Sequence, residues 1–166
     1  MKTELGTLTL QLDPTLAPQT VAHITTLVKA GAYDGTHIFR VEPGFVAQIS
    51  PVTDRQPPLS AAQLALVQNV PLEASSTLKH HRGTLSMARW PDKPMSGESS
   101  FSILLGDAPH LDGQYTIIGT LVKGEDVLKK IETVERVPGT TRPVTRLTLL
   151  KVELIPDQAI PTPSPR

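Results

Sequence analysis

The feature that most constrains this chain is a succession of short alternating runs, each stopped by a proline or glycine turn, with no helix recurring between them. Residues 7–12 set Leu8, Leu10 and Leu12 on one side and Thr7, Thr9 and Gln11 on the other, the period of a half-buried strand. Asp13-Pro14 ends that run. Further strand patterns occupy residues 37–41, 45–48, 83–87, 101–105, 116–122 and 144–155. Glu42-Pro43-Gly44 reads as the turn of a hairpin. In the last run apolar parity shifts between Leu149 and Leu150, which predicts a bulge.

Helical spacing occurs twice. From Pro18 onward Val21, Ile24 and Val28 fall at i, i+3 and i+7, joined by Leu27, and Pro18 sits where a missing N–H costs little. Gly31 and Tyr33-Asp34-Gly35 close that segment. The second helix starts at Gly124-Glu125-Asp126, carries Val127, Leu128, Ile131 and Val134 on one face, and is broken by Pro138-Gly139. Residues 50–81 contain Pro51, Pro57, Pro58 and Pro71 and no sustained alternation, which predicts a long surface excursion with one helical turn within 60–67. About eight short strands and two helices without a βαβ rhythm favour a barrel or sandwich over a parallel sheet.

A chain of 166 residues suits one domain, and a domain of that size buries roughly two-thirds of its unfolded surface, enough to fold without metal or disulfide. With 39% hydrophobic and 19% charged residues it falls in the globular range. The expected division is a domain over residues 1–155 and a flexible proline-rich tail over 156–166. Sixteen basic and 16 acidic residues cancel, so no overall field draws the chain to nucleic acid or an anionic membrane. The absence of cysteine excludes disulfides, thiolate nucleophiles and zinc-thiolate sites. No Gly-rich phosphate loop, HExxH, GxSxG or EF-hand pattern appears. No run of about 18 apolar residues exists, and residues 1–6 lack the apolar stretch of a signal peptide. A cytoplasmic location is the expectation, or an exported or membrane-tethered one if an upstream segment was removed.

Five segments, Tyr33-Asp34-Gly35-Thr36, Phe39-Arg40-Val41, Pro43-Gly44-Phe45-Val46-Ala47-Gln48, Arg82-Gly83-Thr84-Leu85-Ser86-Met87-Ala88-Arg89 and Leu111-Asp112-Gly113-Gln114-Tyr115, together resemble the cyclophilin family and follow its order. The resemblance runs from about Thr3 to Ile155. The stretch from Ser99 to Asp112 is similar to a divergent branch found in plants and bacteria. The resemblance implies a mainly β fold, a closed eight-stranded antiparallel barrel capped by two α-helices, with an outer groove for an extended X-Pro segment. It also implies a peptidyl-prolyl cis/trans isomerase (rotamase) that assists protein folding, needs no cofactor or metal, acts as a monomer, and takes X-Pro peptides or client proteins as partners. The other reading is a proline-peptide binding or scaffold module with little or no turnover.

Residue by residue, Arg40 matches the family's catalytic arginine, Phe45 the aromatic wall of the proline pocket, and Gln48 the glutamine that bonds substrate backbone. Read without the resemblance, Arg40 is an arginine at a strand end pairing Glu42 or Asp34, and Phe45 is ordinary core. Val46 and Leu111 add apolar surface to the pocket, and Ala88 and Arg89 match the edge that pairs with substrate backbone. Arg89 stacking on Trp90 is the alternative there. Several positions depart from the family pattern: Ser100 replaces a glutamine, Ser102 a phenylalanine, Tyr115 a histidine and His110 a tryptophan, so weak to moderate activity is expected. A third reading is a metal held by His80-His81 with His37 or His110; against it, adjacent loop histidines are ordinarily solvated and no i, i+4 ligand pair appears.

Overall fold

A computed structural model describes residues 1–156; residues 157–166, most of the expected tail, lie outside the described part. Nine strands form one antiparallel sheet: β1 (Lys2–Thr3), β2 (Gly6–Thr7), β3 (Thr9–Leu12), β4 (His37–Glu42), β5 (Val46–Ile49), β6 (Thr84–Met87), β7 (Phe101–Leu104), β8 (Ile117–Lys123) and β9 (Leu147–Lys151). Their spatial order is β2-β1-β9-β4-β5-β7-β6-β8-β3. The two end strands, β2 and β3, are separated in the chain only by Leu8, so chain continuity closes the sheet into a barrel and removes its free edges. Counted as one bent strand, they leave eight, the expected number. The extra break falls at Leu8 because that side chain turns into the core and is fully buried.

The structure corrects the ends of several runs. The last strand is only Leu147–Lys151, because the chain before it pairs with the segment after the second long helix: Val144 N–H donates to Glu135 O at 2.9 Å, and Arg136 and Pro143 form an isolated bridge. The predicted bulge is present. Lys2 pairs with Lys151 and Thr3 with Leu149, leaving Leu150 unpaired and turned outward.

Two helices are long enough to cap the barrel: α1 (Pro18–Lys29) and α3 (Glu125–Glu132), while α2 (Ala61–Leu64) is a single turn closed by a Ser60–Gln63 capping box. In α1, Val21, Ile24, Leu27 and Val28 are buried, each contributing ~1.5–3 kcal/mol. Its N-cap, Ala17, has no side-chain acceptor, and the cap comes instead from the long excursion. The Glu73 carboxylate accepts from Gln19 N–H (3.1 Å), Thr20 N–H (2.8 Å) and the Thr20 hydroxyl (2.7 Å). Glu73 N–H in turn donates to Thr116 Oγ1 at 2.9 Å, which fastens the excursion to the start of β8. In α3, Glu125 and Asp126 lie in the first turn and Lys129 and Lys130 in the last, the arrangement the helix dipole favours. No helix among the described residues is long and apolar enough to cross a membrane.

Candidate active site

Strand register decides which side chains share a face. Val41, Ala47, Ile103 and Leu85 lie opposite one another across β4, β5, β7 and β6, and all four are fully buried in the core. One position along, Arg40, Gln48, Ser102 and Ser86 form the parallel row on the outer face of the same strands. The residues singled out on β4, β5 and β7 are therefore brought together by pairing alone.

Within that row the polar groups are linked. Arg40 Nη2 donates to Glu42 Oε2 at 2.5 Å, and Arg40 Nη1 reaches Gln48 Oε1 at 3.5 Å. Gln48 Nε2 donates to Ser100 Oγ at 3.2 Å, and the Ser100 hydroxyl donates to Ile49 O at 2.7 Å. Ser100 therefore orients the Gln48 amide. The pairing of Arg40 with Glu42 is present, whereas Asp34 pairs with Lys151 at 2.8 Å instead. At 35% side-chain exposure, Arg40 keeps a solvent-facing side.

The apolar wall stands beside the guanidinium. Phe45 follows the β4–β5 turn, where Gly44 has φ of +72°, a conformation that side chains rarely adopt. The Arg40 Cζ lies 5.5 Å from the Phe45 ring centroid, and the His110 ring is 5.2 Å from it on a tilted plane. Buried Val46, Leu104 and Ala108 form a small cluster against which Phe45 and Leu111 pack. His110 and Leu111 belong to a 3₁₀ turn, Pro109–Leu111. Ser102 sits in the row with 8% exposure, and its strand neighbour Phe101 turns into the core, edge-on to Tyr33 at 6.0 Å. On this face one phenylalanine ring stands beside Arg40, with serine where a second ring stands in the family pattern.

Arg89 does not stack on Trp90. Its guanidinium lies 4.4 Å over the Tyr115 ring and donates to three backbone carbonyls, Gln114 O (3.1 and 3.0 Å), Trp90 O (3.1 Å) and Pro91 O (2.9 Å). Those bonds strap the loop after Ala88 to the segment holding Tyr115, leaving the indole of Trp90 68% exposed. Ala88 N–H donates to Ser100 O at 2.9 Å.

The adjacent histidines diverge. His80 is buried with Nδ1 3.0 Å from Asp112 Oδ1 and Nε2 3.0 Å from Ser86 Oγ, whereas His81 lies in solvent beside Asp107. Bonds from the His80 ring and the His80 N–H, aided by Lys79, hold the Asp112 carboxyl down to about 2. Among the described residues no group of His, Asp and Glu is arranged to hold a metal. The sequence offers His80 only as one of two adjacent loop histidines, because burial between Asp112 and Ser86 leaves no periodic signature. A separate apolar cleft of about 470 Å³, lined by Leu10, Val21, Ile24 and Phe101 among others, shares no residue with the Arg40 row.

The family model for cyclophilin type peptidyl-prolyl cis-trans isomerases matches residues 1–154. The chain belongs to that family. It is 43% identical over 152 residues to a peptidyl-prolyl cis-trans isomerase of Arabidopsis thaliana, covering 90% of this chain and 67% of that protein. It is 39% identical over 138 residues to a probable peptidyl-prolyl cis-trans isomerase of Brucella suis, covering 80% of this chain and 69% of that one. A crystal structure of a Cryptosporidium parvum cyclophilin type isomerase, obtained in the presence of the dipeptide Ala-Pro, superposes with a TM-score of 0.80 at 25% identity over 93% of this chain and 96% of that one. This cyclophilin is a peptidyl-prolyl cis-trans isomerase, and members of its family act on proline-containing peptides.

Proposed function

We propose that this isomerase turns over X-Pro bonds in the outer groove beside Arg40, with Phe45 and Leu111, packed on buried Val46, holding the proline ring. The supporting observation is the guanidinium fixed 5.5 Å from the Phe45 ring with a side open to solvent. The planar amide resists rotation by ~18–20 kcal/mol because nitrogen shares its lone pair with the carbonyl. Halfway through the rotation the lone pair is localised on a pyramidal nitrogen, which accepts a hydrogen bond that the planar ground state does not. A donor placed there favours the twisted state over both planar ones, which is what lowers the barrier.

Arginine suits that task because it stays charged and presents several donors in a rigid fork. Glu42 and Gln48 each occupy part of the fork, which restrains the guanidinium and leaves other N–H groups for substrate. A solvent-exposed ion pair contributes ~0–1 kcal/mol to stability, so the Glu42 contact matters more for orientation than for folding. Gln48 is the group we assign to the substrate backbone, and Ser100 keeps its amide in place. The backbone at Ala88 and Arg89 supports one flank of an extended peptide while the other flank rotates, and Tyr115 and His110 edge the same groove. Ser102 gives the pocket less apolar surface than an aromatic residue would, which fits weak to moderate turnover. Short X-Pro peptides and unfolded clients that expose such segments are the proposed substrates, met by a monomer acting in the cytoplasm.

Exchange NMR with a small X-Pro peptide library tests this reading. Line broadening of the proline-flanking protons with added protein, together with shifts of the Arg40, Phe45, Gln48 and Ala88 amides, is the expected result. Peptide binding at Phe45 with no cis/trans exchange would instead identify a binding module.

A further inference from the structure

The turn that carries Phe45 is held from behind by charged groups that do not face the groove. Glu132, the last residue of α3, accepts from Gly44 N–H through Oε1 at 2.9 Å and from Arg82 Nη1 through Oε2 at 2.9 Å. Arg82 also donates through Nε to Glu125 Oε1 at 2.8 Å and through Nη1 to the Leu105 carbonyl. The Leu105 N–H completes the circuit by donating to Phe45 O at 2.8 Å. Phe45 is thus fastened on both sides, through the amide before it and through its own carbonyl, and both fastenings lead to Arg82.

Three features make this more than a surface ion pair. The two partners are partly shielded, at 31% and 21% side-chain exposure. The bond to Gly44 spans 88 residues of sequence and joins the capping helix to the hairpin. The turn is also pressed against Gly106, where an added Cβ would fall 2.3 Å from Gly44 O. Burial pushes the Glu132 carboxyl up, but the Gly44 N–H and Arg82 outweigh it and keep the group ionised to lower pH than usual.

We propose that Glu132, held by Arg82, is a positioning residue for the proline pocket. It sets the height of the Phe45 ring over the groove without touching substrate, and this rests on the reading of Phe45 as the pocket wall. Gly44 has no Cβ to restrict it, so without the carboxylate the turn gains freedom and the ring moves with it. Arg40 projects from β4 and is tied to Gln48 and to Glu42 at the start of the turn, none of them bonded to Glu132 or Arg82, so the defect falls more on ring binding than on bond rotation.

The test compares Glu132→Ala, Glu132→Gln, Phe45→Ala and the Phe45→Ala/Glu132→Ala double variant in a protease-coupled assay, with Tm recorded for each. Glu132→Ala is expected to raise KM roughly three- to tenfold with kcat within about twofold, a size drawn from the sensitivity of positioned groups to small displacements. Glu132→Gln keeps an oxygen for the Gly44 N–H and should recover most of the loss. The double variant should be no worse than Phe45→Ala alone, an outcome that general destabilisation would not produce. An unchanged KM in Glu132→Ala beside a raised KM in Phe45→Ala overturns the brace and spares the pocket. An unchanged KM in Phe45→Ala overturns the pocket reading, and the brace with it.

Discussion

Replacing Glu73 by alanine removes the only side-chain cap that α1 has among the described residues. Three hydrogen bonds are lost at once, from Gln19 N–H, Thr20 N–H and the Thr20 hydroxyl, along with a negative charge at the positive end of the helix. A lost cap costs ~0.5–2 kcal/mol and the dipole contribution adds ~0.3–1. Taking about 1–3 kcal/mol in all, and roughly 2–4 °C per kcal/mol for a domain of this size, Tm should fall by about 2–12 °C at pH 7. Burial raises the Glu73 carboxyl, but the bonds from Thr20 and Gln19 more than offset it and hold it below its ordinary 4.5. The stabilisation is therefore complete above 4.5 and is lost as pH falls through the lowered folded value. Differential scanning calorimetry from pH 7 down to acid should show the gap between wild type and Glu73→Ala closing, whereas Glu73→Gln keeps one acceptor and should show an intermediate loss. A Tm within about 1 °C of wild type at pH 7, or a gap that persists unchanged in acid, would refute the reasoning.

Other outcomes follow from the same contacts. Gly106→Ala places a Cβ 2.3 Å from Gly44 O, so the Phe45 turn must shift; a cost of ~1–3 kcal/mol in urea denaturation and a raised KM are expected, and unaltered values of both would contradict the contact. His23 is buried and His37 half-buried, each with a ring nitrogen lacking a partner among the described residues; burial lowers both below 6.5, aided at His37 by Arg146, so stability should decline as pH drops from 6.5 through their folded values. His23→Leu should flatten that decline in pH-dependent melting. Arg89→Ala cuts four donor contacts across the loop after Ala88, and cleavage of the Asp92–Lys93 bond by a protease that cuts on the amino side of lysine should accelerate several-fold, with unchanged cleavage arguing against the strap.

The i, i+3, i+7 spacing after Pro18 and the parity shift at Leu149–Leu150 survive as helix and bulge, and the alternation at 7–12 as strand from Thr9 to Leu12, because each reflects which face meets the core. Register is not readable in this way. That Arg40, Gln48, Ser102 and Ser86 line up depends on pairings between strands far apart in the chain, and only the family resemblance placed the first three of them in one groove. Charge-mediated ties were less legible still. Glu73 to Thr20 and Glu132 to Gly44 join single residues 53 and 88 positions apart, with no periodic pattern around either. Strand β1 was missed because two residues cannot show an alternation.

The most direct measurement is the rate of cis/trans exchange for an Ala-Pro peptide bound to wild type and to Arg40→Ala, read by NMR at saturating protein. Loss of a donor aimed at the twisted amide should slow exchange on the protein by roughly 10²-fold or more, with affinity for the planar peptide changed only a few-fold. Equal exchange rates in the two proteins would mean that the guanidinium beside Phe45 takes no part in turning the bond.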